Sequence, residues 1–476
     1  MLKFTSIFKE NPSKTNAKKR LENFNEIYAG YAKEKAKEQS SRCSQCGVPF
    51  CQVHCPLHNN IPDWLQLAAE ERFQEAYELS TSTNNMPEVC GRICPQDRLC
   101  EGNCVIEQSG HGTVTIGSIE KFITDNAWEN GWIKKINVEK ELKQSIGIIG
   151  SGPAGLTAAE ELRKKGLQIT IYDRYDRAGG LLIYGIPNFK LEKEIIKKRI
   201  NRLIESGINF ELNCDVGKDK TFDEIRSQHD AVLIATGVYK SRYINLNNKN
   251  FSNVVPALDY LTISNKLCLN DKIENSLTKA IDVKNKNIVV IGGGDTAMDC
   301  VRTAIRQKPK SVKCLYRRDK INMPGSQREV ENAIEEGVDF NWLTLPIEYI
   351  GNQTVQKIKT AKMQLGSPDD TGRRRPELKQ GSEEIIDADL VIEALGFEPE
   401  NLPLLFNQKN LNLTEWGTVK VNHNNLMTSL KGVFAAGDIV RGASLVVWGI
   451  KDGRDVAKYI NKYLYEGSNG IKKNEI

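Results

Sequence analysis

The stretch IGIIGSGPAGL, residues 146–156, decides the fold class. An apolar strand runs into Gly150, Gly152 and Gly155, which fit G-x-G-x-x-G, and the chain continues as a helix through Leu156 to Lys165. Glycines at this spacing permit a tight turn, close approach to a pyrophosphate and close packing of helix on strand. Pro153 and Ala154 open that helix, whose free N–H groups and partial positive charge favour an anion. The next strand, LQITIYD, ends at Asp173, 23 residues beyond Gly150, where a carboxylate can accept from ribose hydroxyls. Strand, glycines, helix, strand and acid in that order specify a dinucleotide-binding unit.

The pattern returns at 287–298 as NIVVIGGGDTAM. Gly292, Gly294 and Ala297 fit G-x-G-x-x-A, with Asp295 and Thr296 between them, and the following strand SVKCLY ends in Arg317 and Arg318 instead of an acid. Guanidinium groups suit a 2′-phosphate through charge-assisted bonds. The natural division is FAD in the first unit and NADPH in the second. Thr236 and Gly237 follow the strand DAVLIA, Ala394-Leu395-Gly396 follows the similar ADLVIE, and VFAAGDIV (433–440) places Gly437 and Asp438 at a further strand end. Asp438 is expected to meet the ribityl or phosphate region of FAD. The segment ASLVVWGIKDGRDVAKYI (443–460) predicts a helix starting near Ser444 and Leu445, aimed at the flavin ring. The expected fold class is therefore α/β, with two Rossmann-like units, the second inserted in the first. The FAD unit takes 141–243 with 401–476, the NADPH unit 244–400, and a helical module occupies 1–140.

Twelve cysteines are present, and eight lie between Cys43 and Cys104. Cys43, Cys46, Cys51 and Cys55 are spaced C-x2-C-x4-C-x3-C; Cys90, Cys94, Cys100 and Cys104 are spaced C-x3-C-x5-C-x3-C. No export signal precedes them, so structural disulfides are not expected, and eight thiols make two sets of four thiolate ligands. Zinc sites usually pair two C-x2-4-C knuckles across a spacer, whereas three of these cysteines crowd within nine residues and both sets contain a Cys-Pro step, as ferredoxin-type runs do. Two [4Fe–4S] clusters are the reading adopted, with zinc as the alternative. His54 and His58 share the loop and read as solvated or packing side chains. Around the cysteines, Asn11–Lys37 reads as a largely solvated helix, and Ile61–Glu78 and Ser118–Trp132 show apolar residues near helical period.

At 476 residues and ~150 residues per domain, about three domains are expected. A net charge of +5 is too small an excess to suggest nucleic acid or an anionic membrane. No run of apolar residues reaches membrane-spanning length, and MLKFTSIFKENPSK lacks the apolar core of a secretory signal, so a cytoplasmic location is expected. NLNNKN (245–250) and VKNKN (283–287) read as loops, SPDDTGRRRPE (367–377) as a charged hairpin or loop, and GSNGIKKNEI (467–476) as a mobile tail.

Taken together, the eight cysteines, IGIIGSGPAGL, GGLLIYGIPNFKL (179–191), ATG (235–237), GGGDTAMDC (292–300), YRRD with NMPGS (316–326) and AAGD (435–438) resemble one family. The resemblance is to the small (β) subunit of bacterial-type NADPH-dependent glutamate synthase and the equivalent module of related reductases. It implies that NADPH gives hydride to FAD and that electrons pass through [4Fe–4S] clusters to a large subunit carrying glutaminase activity, FMN and a further iron–sulfur cluster. The overall reaction would turn glutamine, 2-oxoglutarate and NADPH into two glutamates. The family pattern also implies interleaved ligation, Cys43, Cys46, Cys51 and Cys104 on one cluster and Cys55, Cys90, Cys94 and Cys100 on the other. It places Gly180 and Leu181 at the cofactor and Lys190 near the flavin. No acid–base dyad or nucleophile is evident, and no catalytic side chain is assigned. Cluster module and nucleotide units use up the chain, leaving no room for an amidotransferase domain or a (β/α)8 barrel of ~250 residues. The competing readings are the same module in a ferredoxin–NADP or sulfide-linked reductase, and a zinc-stabilised nucleotide-binding module without redox turnover.

Overall fold

The computed structural model describes residues 3–244, 246, 251–368 and 374–471. Two five-stranded parallel sheets share one internal order. In the first, Val433–Ala435, Ala231–Ile234, Ser145–Ile149, Gln168–Tyr172 and Asn209–Glu211 lie side by side. In the second the series is Val254–Pro256, Leu390–Glu393, Asn287–Ile291, Ser311–Tyr316 and Asp339–Trp342. Each glycine-rich turn leaves the central strand of its sheet. Those central strands are apolar and buried almost throughout, as a parallel sheet covered on both faces requires.

Val433–Ala435 completes the first sheet after the whole second sheet has been laid down, so the second unit is an insertion in the first. The chain leaves through Lys240–Ser241 and returns through Phe397–Glu398, and these two short strands pair antiparallel. The second unit also carries an antiparallel sheet of Thr344–Gly351, Val355–Pro368, Arg374–Leu378 and Glu384–Asp387. The charged hairpin read at 367–377 thus has strand flanks, with Pro368 opposite Arg374, and its tip at 369–373 lies outside the described residues. Most of the 245–250 loop lies outside them too. The tail expected to be mobile from Gly467 instead continues the last helix, Val446–Ile471, and only 472–476 fall outside the description.

The first 140 residues are helical, and among the described ones the sole β pairing is an isolated bridge between Lys14 and Tyr28. Two expectations fail here. The segment 61–78 is two helices, Ile61–Ala69 and Phe73–Thr81, separated where Glu71 takes φ +62° and the Arg72 N–H turns back to the Leu67 carbonyl. Asn11–Lys37 is mostly a strap, with helix only at Ala17–Arg20 and from Lys33 onward. Its charges serve long-range partners instead of helical neighbours: Lys14 meets Glu335 at 2.7 Å, and Arg20 meets Glu335 at 2.6 Å and Glu336 at 3.3 Å. Glu336 also holds Arg302 and Arg306, each at 2.7 Å, in a buried group that packs on the Phe189 ring of the first unit. Removing one partner of such a buried group is strongly destabilising, because it leaves an uncompensated charge. Among the described residues no helix is long and apolar enough to cross a membrane.

Candidate functional site

The first glycine-rich turn forms one wall of a deep cavity. Gly150 takes φ +106°, and a Cβ there would stand 2.3 Å from the Ala235 carbonyl oxygen, so the turn needs glycine. Gly150, Gly152, Pro153, Ala154, Asp173, Leu181, Thr236, Gly237, Gly437, Asp438, Ser444 and Leu445 all line the cavity. Of the other residues read at this unit, Gly155 packs, since its Cβ would meet the Gly150 carbonyl at 2.0 Å, and Gly180 stands against the Gly152 backbone.

Asp173 ties the turn together from its strand end. Oδ2 accepts from the Ser151 N–H (2.8 Å) and hydroxyl (2.5 Å), and Oδ1 accepts from the Tyr175 N–H (2.9 Å). Burial raises the Asp438 carboxyl to about 7, although a hydrogen bond from the Ser444 backbone opposes the shift. The Thr236 hydroxyl oxygen is buried in this wall without a partner, a polar atom awaiting a polar ligand. Open backbone at Gly152, a helix start and an orphan hydroxyl fit the pyrophosphate and ribityl of FAD. Arg174 and Tyr239 also line the cavity and were not singled out from sequence; the Arg174 guanidinium lies 5.7 Å from the Tyr239 ring centre and meets Glu400 at 2.5 Å. Only their nearness to Asp173 and Gly237 could have flagged them.

The second turn repeats the geometry. Gly292 takes φ +146° with its Cβ position 2.3 Å from the Ala394 carbonyl, Gly294 faces open space, and Asp295, Thr296 and Ala297 open the helix Asp295–Arg306. Asp295 accepts from the Ser326 N–H at 2.8 Å, and Ala297 is buried against the sheet. Arg317 is exposed at the end of the neighbouring strand, and Arg318 Nε is buried without a partner. Two guanidinium groups, one with an unused donor, suit the 2′-phosphate of NADPH.

Lys190 bridges the two units. It does not line the first cavity; its ammonium meets Asp299 on the second unit's helix at 2.8 Å and Glu329 at 3.8 Å. Phe189-Lys190 thus reaches across to the inserted unit, where Phe189 packs under Arg302 and Arg306.

The eight cysteines separate into two cavities. One is lined by Cys43, Cys46, Cys51 and Cys104, the other by Cys55, Cys90, Cys94 and Cys100. Burial pushes the thiols of Cys43 and Cys55 up to about 11 and of Cys51 up to about 12, so four thiolates share such a cavity only around compensating positive charge. Each set of four thiols lines its own cavity, a donor set that suits a four-iron cube. Both His54 and His58 are exposed and neither lines a cysteine cavity.

Fold and sites define a pyridine-nucleotide oxidoreductase joined to an iron–sulfur module. Residues 20–132 match the family model described as dihydropyrimidine dehydrogenase domain II, 4Fe-4S cluster, and residues 144–453 match pyridine nucleotide-disulphide oxidoreductase. The chain is 58% identical to the glutamate synthase [NADPH] small chain of Azospirillum brasilense over 97% of this chain and 96% of that one. It is 45% identical to the protein of the same name in Escherichia coli K12, over 97% and 98%. Mycobacterium tuberculosis FprA, solved in complex with NADPH, shares the fold at a TM-score of 0.58 with 20% identity, over 69% of this chain and 86% of that one. The chain belongs to the glutamate synthase [NADPH] small-chain family. It is an NADPH-dependent flavin and iron–sulfur oxidoreductase using FAD and [4Fe–4S] chemistry.

Proposed function

We propose that this chain oxidises NADPH and feeds the electrons, by way of FAD and two [4Fe–4S] clusters, to a large subunit that makes glutamate from glutamine and 2-oxoglutarate, in the cytoplasm. A flavin held there would supply the conversion that a nicotinamide and a cluster require between them, taking two electrons as one hydride and giving them up singly. The chain's own residues hold and orient. The unit of 141–243 with 401–476 cradles FAD, the unit 244–400 binds NADPH with Arg317 and Arg318 at its 2′-phosphate, and 1–140 ligates the clusters. The ligand sets are Cys43, Cys46, Cys51 and Cys104 for one and Cys55, Cys90, Cys94 and Cys100 for the other.

One observation carries the reading: the three cavities share walls in series. Val446 lines the cavity at the first turn, Val447 lines that of Cys55, Cys90, Cys94 and Cys100, and Ile116 lines both cysteine cavities. The outer cavity is bordered by Phe50 and Val105, and Val48, Phe50 and Val53 are 61%, 42% and 53% exposed. Residues 43–60 contain no Lys, Arg, Asp or Glu. An apolar, charge-free rim at the end of the series suits a protein partner.

Mixing experiments test this. The isolated chain should oxidise NADPH with an artificial one-electron acceptor and make no glutamate; adding the large subunit should give two glutamates per NADPH from glutamine and 2-oxoglutarate. No NADPH-dependent glutamate from the mixture would favour the same module serving another oxidoreductase complex.

A further inference from the structure

The loop between Cys94 and Cys100 and the loop that roofs the second glycine-rich turn grip each other. Arg98, exposed and lying between those two cysteines, donates to three successive carbonyls: Met323 at 3.2 Å, Pro324 at 2.5 Å and Gly325 at 2.6 Å. Arg328 returns the grip, donating to Gln96 Oε1 at 3.1 Å and to the Arg92 carbonyl at 3.2 Å. Gln96 in turn donates to the carbonyls of Cys90 and Gly91, each at 3.2 Å. On its other side the roof is fixed to the nucleotide turn. The Gly325 N–H donates to the Gly293 carbonyl at 2.9 Å, and the Ser326 N–H to Asp295 Oδ1 at 2.8 Å. One short segment is thus bonded both to the turn that would meet the nucleotide and to the cysteine loop.

We propose that Arg98 is a positioning residue that couples nucleotide binding at the second turn to the Cys94–Cys100 loop, so that NADP(H) and the cluster held by that loop sense each other. The inference rests on the assignment of NADPH to the second turn. Coupling between two bound groups is reciprocal, so it can be read from either end. A structural brace alone would hold the loop without making the cluster respond to the nucleotide.

The test is calorimetric titration of the oxidised holoprotein with NADP⁺, joined to paramagnetic-resonance spectra of the dithionite-reduced protein with and without excess NADPH. Wild type should bind NADP⁺ and show a change in one cluster signal on adding the nucleotide. Arg98→Ala should keep its flavin and iron, bind NADP⁺ about tenfold more weakly, and lose the spectral change. Arg98→Lys, which keeps a single cationic donor point, should restore part of both; Arg98→Gln carries the same test if the alanine variant loses iron. Unaltered NADP⁺ affinity in Arg98→Ala overturns the proposal, as does a spectral change that persists there or is absent from wild type. Gly292→Ala separates the two levels. Wild-type NADP⁺ binding in that variant sinks the assignment of the nucleotide to this turn, and the coupling with it. Lost binding there, with wild-type binding in Arg98→Ala, sinks the coupling alone.

Discussion

Val446 and Val447 are neighbours at the start of the last helix, yet they face different cavities: Val446 the one at the first glycine-rich turn, Val447 the one ringed by Cys55, Cys90, Cys94 and Cys100. The start of this helix is therefore part of the partition between the proposed flavin site and the inner cluster site. An ionised carboxylate in that partition should disfavour added negative charge in the cluster cavity by roughly 3 kcal/mol at an effective dielectric of ~20. In Val447→Asp, NADPH should still bleach the flavin band as in wild type, while the inner cluster should need a stronger reductant in a potentiometric titration. Val447→Asn should shift it less. Unchanged cluster reduction in the aspartate variant would place the inner cluster elsewhere.

The two turns should fail separately. Alanine at Gly150 or Gly292 forces a side chain into a positive-φ backbone and to within 2.3 Å of a carbonyl oxygen, on top of backbone strain of about 1–3 kcal/mol. Gly150→Ala should purify without yellow colour. Gly292→Ala should keep its flavin, accept electrons from dithionite, and fail to oxidise NADPH. Flavin loss from Gly292→Ala with retention in Gly150→Ala would reverse the assignment of the sites.

Arg317 and Arg318 should set nicotinamide choice. Removing charged donors costs about 1.5–3 kcal/mol each when they are engaged. The double alanine variant should therefore raise KM for NADPH roughly a hundredfold or more, leave kcat within about twofold, and barely change KM for NADH. Steady-state kinetics with an artificial acceptor decides it; equal loss with both nucleotides would mean that the arginines hold the fold and not the phosphate.

Lys193 gives a pH signature of folding. It is buried at the start of the helix Lys193–Glu205 and donates to the carbonyls of Leu182 and Ile186. Burial lowers its pKa to about 7 from the ordinary 10.5. Between those values the unfolded chain holds the proton and the folded chain does not. Stability should therefore rise with pH across that window, by up to ~1.4 kcal/mol per unit from this group. Lys193→Met should flatten the rise when denaturation midpoints are compared at pH 7 and pH 9. An identical rise in the variant would show that other groups govern it.

What the sequence revealed follows from how local the physics is. Gly150 and Gly292 are legible because the strand, glycine turn and helix that need them are written within a dozen residues, although the carbonyls that exclude a Cβ there, those of Ala235 and Ala394, come from far along the chain. The cysteine spacing announces thiolate ligation, but spacing alone leaves the sorting of eight sulfurs open. Only the family resemblance suggested the partition that the two cavities match, because Cys104 joins Cys43 through packing around Ile116. The strap from Asn11 was misread as helix because Lys14 and Arg20 look solvated until Glu335 and Glu336, over three hundred residues away, come into contact. Lys190 likewise finds its partner far along the chain, at Asp299 of the inserted unit. The serial arrangement of the three cavities depends on Val447 and Ile116, two ordinary apolar residues that no motif marks.

The most direct test is an anaerobic titration of the isolated, reconstituted chain with NADPH, followed optically and by paramagnetic resonance, alongside iron and acid-labile sulfide analysis. A chain that houses one flavin and two four-iron clusters in series should contain about eight irons with matching sulfide, lose its flavin band on addition of NADPH, and develop a cluster signal in the same titration. Zinc without sulfide, or a flavin that bleaches while no cluster in a fully loaded protein ever gains an electron even with dithionite, would contradict the account.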